Sequence, residues 1–238
     1  GYPKFLRDTA VSRLDENLWE AELTDDWSIG GVANGGYSMA TAARALAESL
    51  DHKDPLSITG HYLSRVEPGK ALLEIEKLNI GKSVSTALLK FIQGGEERIR
   101  FTSCFTDFAK SKGDTLREVD APDFPPIEEC IAMPYKEGFT PVLEKQIDRK
   151  FTPQSDWWDE DRPRARACLD AYYAWPGGED IDLFSVIFFL DTMSPPIFNR
   201  LGSRGWVPSL ELTVHLKQSP SPGPLRMRGK TDFITSGF

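Results

Sequence analysis

Leu56-Ser57-Ile58-Thr59-Gly60-His61-Tyr62-Leu63, running on to Val66-Glu67-Pro68-Gly69, returns as Leu210-Glu211-Leu212-Thr213-Val214-His215-Leu216-Lys217, running on to Pro220-Ser221-Pro222-Gly223. The two stretches align without a gap: Leu56 and Leu210, Thr59 and Thr213, His61 and His215, and Gly69 and Gly223 each lie 154 positions apart. Each copy reads as a strand of alternating side chains, a Pro-Gly turn and a second strand. A period of about 20 to 50 residues would build a solenoid, whereas a single long period implies a duplicated domain. The first copy continues through further strands to Phe108, and the second reaches Phe238 in mid-pattern. By the offset, a full second copy is expected to extend to about residue 262.

Composition narrows the classes. Hydrophobic residues make up 40% and charged residues 27% of the 238, ordinary for a globular protein. A net charge of -8 argues against general nucleic-acid binding, which needs a basic stripe. No apolar run reaches the roughly 18 residues that span a bilayer. The first residues, Gly1-Tyr2-Pro3-Lys4-Phe5, do not have a signal-peptide layout. Cys104, Cys130 and Cys168 are odd in number and widely spaced, which fits a reducing, cytoplasmic setting and offers no metal site.

Outward from the repeat, Leu18–Leu23 reads as a first strand and Asp25–Gly36 as a Gly-rich loop. Tyr37–Leu50 reads as a helix, with Met39, Ala40, Ala43, Leu46, Ala47 and Leu50 on one face. Its alanines suit close packing on a sheet. Strands are expected at 56–64, 70–79, 83–93 and 97–108, the last two forming a hairpin about Gly94-Gly95. Residues 109–147, broken by five prolines, read as a linker between a first repeat (1–108) and a second (148–238). The second repeat offers a strand near 167–175, a Gly177-Gly178 loop, and an apolar helix from Leu183 through Met193. Within a helical stretch reaching to about residue 200, Pro195 and Pro196 should kink the helix or end its first segment. Each half is thus strand, loop, buried helix, then antiparallel strands. This is an α+β hotdog arrangement, and two in tandem make a double hotdog. One continuous antiparallel sheet would then wrap two central helices, each half hiding an edge of the other.

The order of these markers resembles the type II (double hotdog) acyl-CoA thioesterases of the thioesterase-like superfamily. The markers are Asn34-Gly35-Gly36-Tyr37, His61-Tyr62-Leu63 with Pro68-Gly69, Leu78-Asn79-Ile80-Gly81-Lys82-Ser83, Phe101-Thr102-Ser103-Cys104-Phe105, and Phe189-Leu190-Asp191. The resemblance implies hydrolysis of an acyl-CoA, with coenzyme A as part of the substrate and no separate cofactor. It also implies a homo-oligomer. It carries a catalytic Asp onto Asp191 and a catalytic hydroxyl onto Ser209, with Thr213 the alternative; a third member, a Gln, is expected beyond Phe238. Substrate contacts fall on Asn34, Gly35, Gly36, Tyr37, His61, Gly81, Lys82 and Ser83.

The chemistry of these residue types is consistent with that assignment. Thioester hydrolysis needs a water made nucleophilic, and a carboxylate beside it can serve as general base. Asp191 follows Phe188-Phe189-Leu190, and apolar surroundings raise a carboxyl pKa; the competing reading is an Asp that caps a turn before the proline pair. Ser209 holds the same water or merely opens a strand after Pro208. The N–H groups of Gly35-Gly36, just before a helix, suit an oxyanion, or the glycines serve only a tight turn. Whether that loop and Asp191 share one site is open. Lys82, Arg65, Arg98, Arg100, Arg226 and Arg228 are the candidates for coenzyme A phosphates. His61 and His215 sit at equivalent strand positions, and without a Gly-x-Ser-x-Gly elbow both read as structural rather than as triad members. The rival functions are a non-catalytic acyl-CoA- or lipid-binding hotdog module and a hotdog enoyl-CoA hydratase. The latter usually pairs Asp with His near one helix.

Overall fold

The computed structural model describes residues 1–238. The first half contains helix Tyr2–Asp8 (α1), strands Val11–Asp15 (β1), Leu18–Leu23 (β2), Ser28–Ile29 (β3) and Val32–Ala33 (β4), and helix Gly35–Ser49 (α2). Strands Asp54–Tyr62 (β5), Gly69–Ile80 (β6), Ser85–Gln93 (β7) and Glu96–Thr106 (β8) complete it. Short strands Ile131–Ala132 (β9) and Asp148–Phe151 (β10) precede Cys168–Ala174 (β11), helices Leu183–Leu190 (α3) and Ile197–Leu201 (α4), and strands Glu211–His215 (β12) and Leu225–Lys230 (β13).

The strands form a seven-stranded antiparallel sheet in the order β1-β2-β6-β7-β8-β5-β12 and a four-stranded one in the order β13-β11-β10-β9. The β7–β8 hairpin turns on Gly94 and Gly95, both at positive φ (57° and 77°), as a two-residue turn between twisted strands requires. The repeat is visible in the pairing. In the first half β2 pairs with β6 (Ala21 opposite Ala71), and in the second β11 pairs with β13 (Tyr173 opposite Leu225). The halves meet where β5 runs antiparallel to β12, and Thr59 stands opposite Thr213, its own counterpart. The flanking bonds obey the same symmetry: Tyr62 N–H donates to the Leu210 carbonyl (3.0 Å), and Leu216 N–H to that of Leu56 (2.9 Å). A local two-fold axis therefore passes between the two threonines, whose hydroxyls are 3.1 Å apart.

Three expectations change. Within residues 1–238 the sheet is in two pieces. In the first half β8 and β7 bridge β5 to β6, but no strand stands between β12 and β13, so β13 belongs to the smaller sheet. The second helix divides at its proline pair, but its first segment is shorter than Leu183 through Met193. It stops at Leu190, and the chain restarts as α4 only after Pro195 and Pro196, because proline supplies no N–H for the preceding turn. Phe189 is fully buried against Tyr173 and Trp175, and Val186 and Met193 are half-buried. The 109–147 stretch is partly attached. It contributes β9, and Pro125 accepts a hydrogen bond from the Tyr172 hydroxyl at 2.8 Å.

α2 is the centre of the core. Met39, Ala40, Ala42, Ala43, Ala45 and Leu46 are fully buried. Their small side chains let α2 lie against β5 and β7 on one side and α3 on the other. The first turn of α2 touches the end of α3, so the pair is antiparallel. Phe5, Trp27, Trp175 and Phe188 interlock around it with ring centroids 5.1–6.3 Å apart. Such aromatic contacts add to the apolar area each ring buries.

Candidate active site

The site lies where the N-terminus of α2 meets the C-terminus of α3. Asn34 is the N-cap of α2: its side-chain oxygen accepts the Tyr37 N–H at 3.0 Å, satisfying an N–H that the helix cannot pair internally. The other end of the same amide donates to the Asp191 main-chain carbonyl at 3.0 Å and to its carboxylate Oδ2 at 3.3 Å. Asp191 closes α3 as its C-cap. Its Oδ2 accepts the Gly36 N–H at 2.8 Å, and its Oδ1 accepts the Ser209 hydroxyl at 3.3 Å. Glycine is needed here for close approach. A Cβ on Gly36 would lie 2.8 Å from Asp191 Cβ and 2.9 Å from the Phe188 carbonyl; one on Gly35 would lie 2.8 Å from Asp191 Oδ2.

Burial dominates the electrostatics of Asp191. Loss of hydration pushes its carboxyl from an ordinary 3.8 up to about 6, against the opposing pull of bonds from Gly36, Ser209 and Asn34. The positive end of the α2 dipole also favours an anion there. The result is a carboxylate that is charged at neutral pH yet far more basic than a solvated Asp.

The structure gathers Asn34, Gly35, Gly36, Asp191 and Ser209, from both halves of the chain, into one place. The Gly36 N–H, read as an oxyanion donor, is given to Asp191. Tyr37 points away: its hydroxyl donates to the Asp8 carbonyl (2.8 Å), and the ring is fully buried beneath α1. His61 is on the opposite face of β5, exposed, with Nε2 3.8 Å from Glu211 Oε2. Thr213 lies on the same outer face at the seam, so Ser209 is the hydroxyl that reaches Asp191. Gly81, Lys82 and Ser83 form the β6–β7 turn at the other end of α2. There the Lys82 carbonyl meets His52 Nε2 (3.1 Å) and that of Ser83 accepts from Thr106 (2.9 Å). A 15-residue helix places that turn about 22 Å from Asp191.

Of the cations considered for phosphates, Arg228 is held by Asp170 in two 2.7 Å bonds and Arg100 by Glu97. Arg65 and Arg98 stand at the site end of the sheet, where Arg98 accepts the Leu63 N–H and donates to the Arg65 carbonyl.

Sequence reasoning passed over Tyr62, whose hydroxyl donates to the Gly35 carbonyl at 2.9 Å. The signal was present: Ile58, Gly60 and Tyr62 alternate onto the inner face, which leaves His61 outside. It also passed over Arg149, a buried residue that donates to the carbonyl of Thr192, next to Asp191, and pairs with Glu144 and the Tyr173 hydroxyl.

The opposite end of the helix pair is built differently. Asp182 caps α3 as Asn34 caps α2, accepting the Ser185 N–H at 2.7 Å. Facing it, where Asp191 faces Asn34, is Arg44, 3.8 Å from the Asp182 carboxylate, which also accepts the Tyr2 hydroxyl at 3.0 Å. The carboxylate at this end is therefore occupied by a cap and a cation.

Comparison with known proteins places the chain. The family model of the acyl-CoA thioesterase N-terminal domain matches residues 23–106, and that of the C-terminal domain matches residues 127–238. A thioesterase-like protein of Talaromyces wortmannii, TwmA, is 33% identical over 94 residues, 38% of this chain and 27% of that protein's length. A Thermobifida fusca crystal structure, provisionally assigned as a thioesterase II, superposes with a TM-score of 0.88 at 26% identity, covering 98% of this chain and 88% of that one. A conserved Alicyclobacillus acidocaldarius protein of unknown function with a hot dog fold superposes with a TM-score of 0.78 at 18% identity, over 91% and 79% of the two chains. With matches to the family's two domains in succession, the chain belongs to the acyl-CoA thioesterase family.

Proposed function

We propose that this protein hydrolyses acyl-CoA thioesters to the free acid and coenzyme A, using water activated by Asp191 in a double hotdog framework. The observation that carries the reading is the Asp191 carboxylate. It is delivered by the second half onto the glycine N-terminus of the first half's helix, and it is buried enough to be basic near neutrality. A water held between Asp191 and the Ser209 hydroxyl attacks the thioester carbonyl as Asp191 takes its proton. The tetrahedral intermediate collapses with cleavage of the carbon–sulfur bond, and coenzyme A leaves as a thiolate that is then protonated. Gly36 N–H and Asn34 hold the carboxylate throughout, so its orientation is fixed before substrate arrives.

The double hotdog reading is supported by the two-fold seam at Thr59 and Thr213 and by the antiparallel helix pair. Arg65, at the same end of the sheet, is a better candidate for the coenzyme A phosphates than Lys82, whereas Arg98 is engaged by Glu96 and by the Gln93 and Arg65 carbonyls. No helix is long and apolar enough to cross a membrane. The three free cysteines support a reducing, cytoplasmic setting.

A thiol-release assay over acyl-CoAs of increasing chain length tests the activity. We expect stoichiometric release of coenzyme A and carboxylic acid from at least one chain-length class. Tight binding with no thiol release would instead identify a binding module. Loss of enoyl absorbance without thiol would identify a hydratase.

A further inference from the structure

We infer that Tyr62 is a positioning residue for Asp191, acting through the single peptide unit that joins Gly35 to Gly36. The inference rests on the hydrolytic reading above for its catalytic meaning, but its geometry stands independently. The Tyr62 hydroxyl donates to the Gly35 carbonyl at 2.9 Å. The N–H of the same peptide plane, on Gly36, donates to Asp191 Oδ2 at 2.8 Å. A hydrogen bond to the carbonyl oxygen of an amide draws electron density from its nitrogen and strengthens the N–H as a donor. The chain Tyr62 O–H, Gly35 C=O, Gly36 N–H, Asp191 carboxylate is therefore one polarised relay. It fixes the peptide plane at both ends and stabilises the carboxylate.

Two further observations agree. A Cβ on Gly35 would sit 2.9 Å from two atoms of the Tyr62 ring, so the glycine is what lets the ring lie against the helix start. Phe101 meets the Tyr62 ring edge-on at 6.4 Å, holding it in place. Burial keeps the phenol protonated, with its pKa well above the usual tyrosine value, so it stays a donor across the working pH range. Tyr62 is also the titratable side chain that faces Asp191. On β5, His61 is on the outer face; in the loop before β12, Arg204 is exposed and Ser209 is the group that reaches the site. On α2 the contacts are Asn34 and Gly36. Arg149 bonds to the carbonyl of the next residue, Thr192, rather than to the carboxylate.

The test is direct titration of the Asp191 side chain by carbon NMR in protein labelled at the aspartate carboxyl carbons, assigned by loss of the signal in Asp191→Asn. In Tyr62→Phe the relay loses its first donor. The Asp191 midpoint should move upward by about half a pH unit, and the acid limb of kcat/KM for thioester hydrolysis should move with it. Replacing Tyr62 with 3-fluorotyrosine keeps ring and hydroxyl but makes the donor stronger, so the midpoint should move downward. This second variant preserves the fold should Tyr62→Phe not assume it. An Asp191 midpoint that stays at its wild-type position in either folded variant overturns the inference, whatever the melting temperature does. The NMR readout needs no turnover, so absence of thioesterase activity would count against the proposed function and not against the relay.

Discussion

Asp191 is held in a conflict between burial, which favours its neutral form, and three donors, which favour its anion; burial wins, and the carboxyl titrates near 6. Because the folded-state value lies above the ordinary one, the native protein holds an extra proton between about pH 4 and 6. The stability linked to this group is fully present below that window and is lost as pH rises through about 6. Above it the protein carries a desolvated charge. Asp191→Asn removes that charge while keeping an acceptor for the Gly36 N–H. It should therefore raise stability at pH 8 by about 1–2 kcal/mol, with the gain vanishing near pH 4. Denaturant unfolding of both proteins at the two pH values checks this; equal stabilities at pH 8 would contradict it. Asp191 and Ser209 entered through the family resemblance, because their local contexts, an acid before a proline pair and a hydroxyl after Pro208, read equally well as a turn cap and a strand start. That the Gly35-Gly36 loop completes the same site was not legible, since it depends on which helix end faces which.

At the scale of elements, the crossing of α2 and α3 depends on Gly36. The atoms a Cβ would strike include the Phe188 carbonyl, part of a helix backbone that cannot rotate away. Gly36→Ala should push the helices apart, lower stability by about 1–3 kcal/mol and reduce turnover together; a crystal structure of the variant would show the displaced α3. The turn after α3 has its own anchor in Arg149, whose buried guanidinium is paired with Glu144, the Tyr173 hydroxyl and the Thr192 carbonyl. Arg149→Met leaves Glu144 without its partner and should cost about 3–5 kcal/mol, read as a lowered midpoint in urea. An unchanged midpoint would remove Arg149 as an anchor. The helices and strands themselves were largely readable from periodicity, because alanine-rich and alternating patterns report local burial. Arg149 was not, because two of its three partners come from β11 and the end of α3, and a Glu five residues away does not mark a buried cation. His61 was placed at the site by the family resemblance, although the alternation on β5 put Tyr62 on the inner face.

For the whole molecule, the repeat is both the plan of the fold and the reason for one poised carboxylate. Thr59 and Thr213 stand on the local two-fold axis, as a pair whose own backbone groups do not exchange hydrogen bonds. Such pairs bring side chains closest together. The double substitution Thr59→Cys and Thr213→Cys should oxidise to a cross-link between the halves and stabilise the protein by about 2–4 kcal/mol relative to the reduced form. Failure to oxidise would place the seam in another register. Away from the axis the symmetry is broken by chemistry: one helix-end pairing offers Asp191 to Asn34, and the other offers Arg44 to Asp182. The offset of 154 made the duplication legible, and with it the antiparallel sheet and the buried helices. It could not tell that the two halves would meet at β5 and β12. Sequence similarity relates the copies to each other and carries no record of the edge on which they meet.

The most direct test of the central claim, that Asp191 is the base of a site assembled from both halves, is the pH dependence of kcat/KM for acyl-CoA hydrolysis in the wild type and in Asp191→Asn. The wild-type rate should climb through about pH 6 and level off above it, and the variant should be folded, lack that limb and be slower by about a hundredfold or more. A variant that keeps both the limb and near-wild-type turnover would contradict the claim.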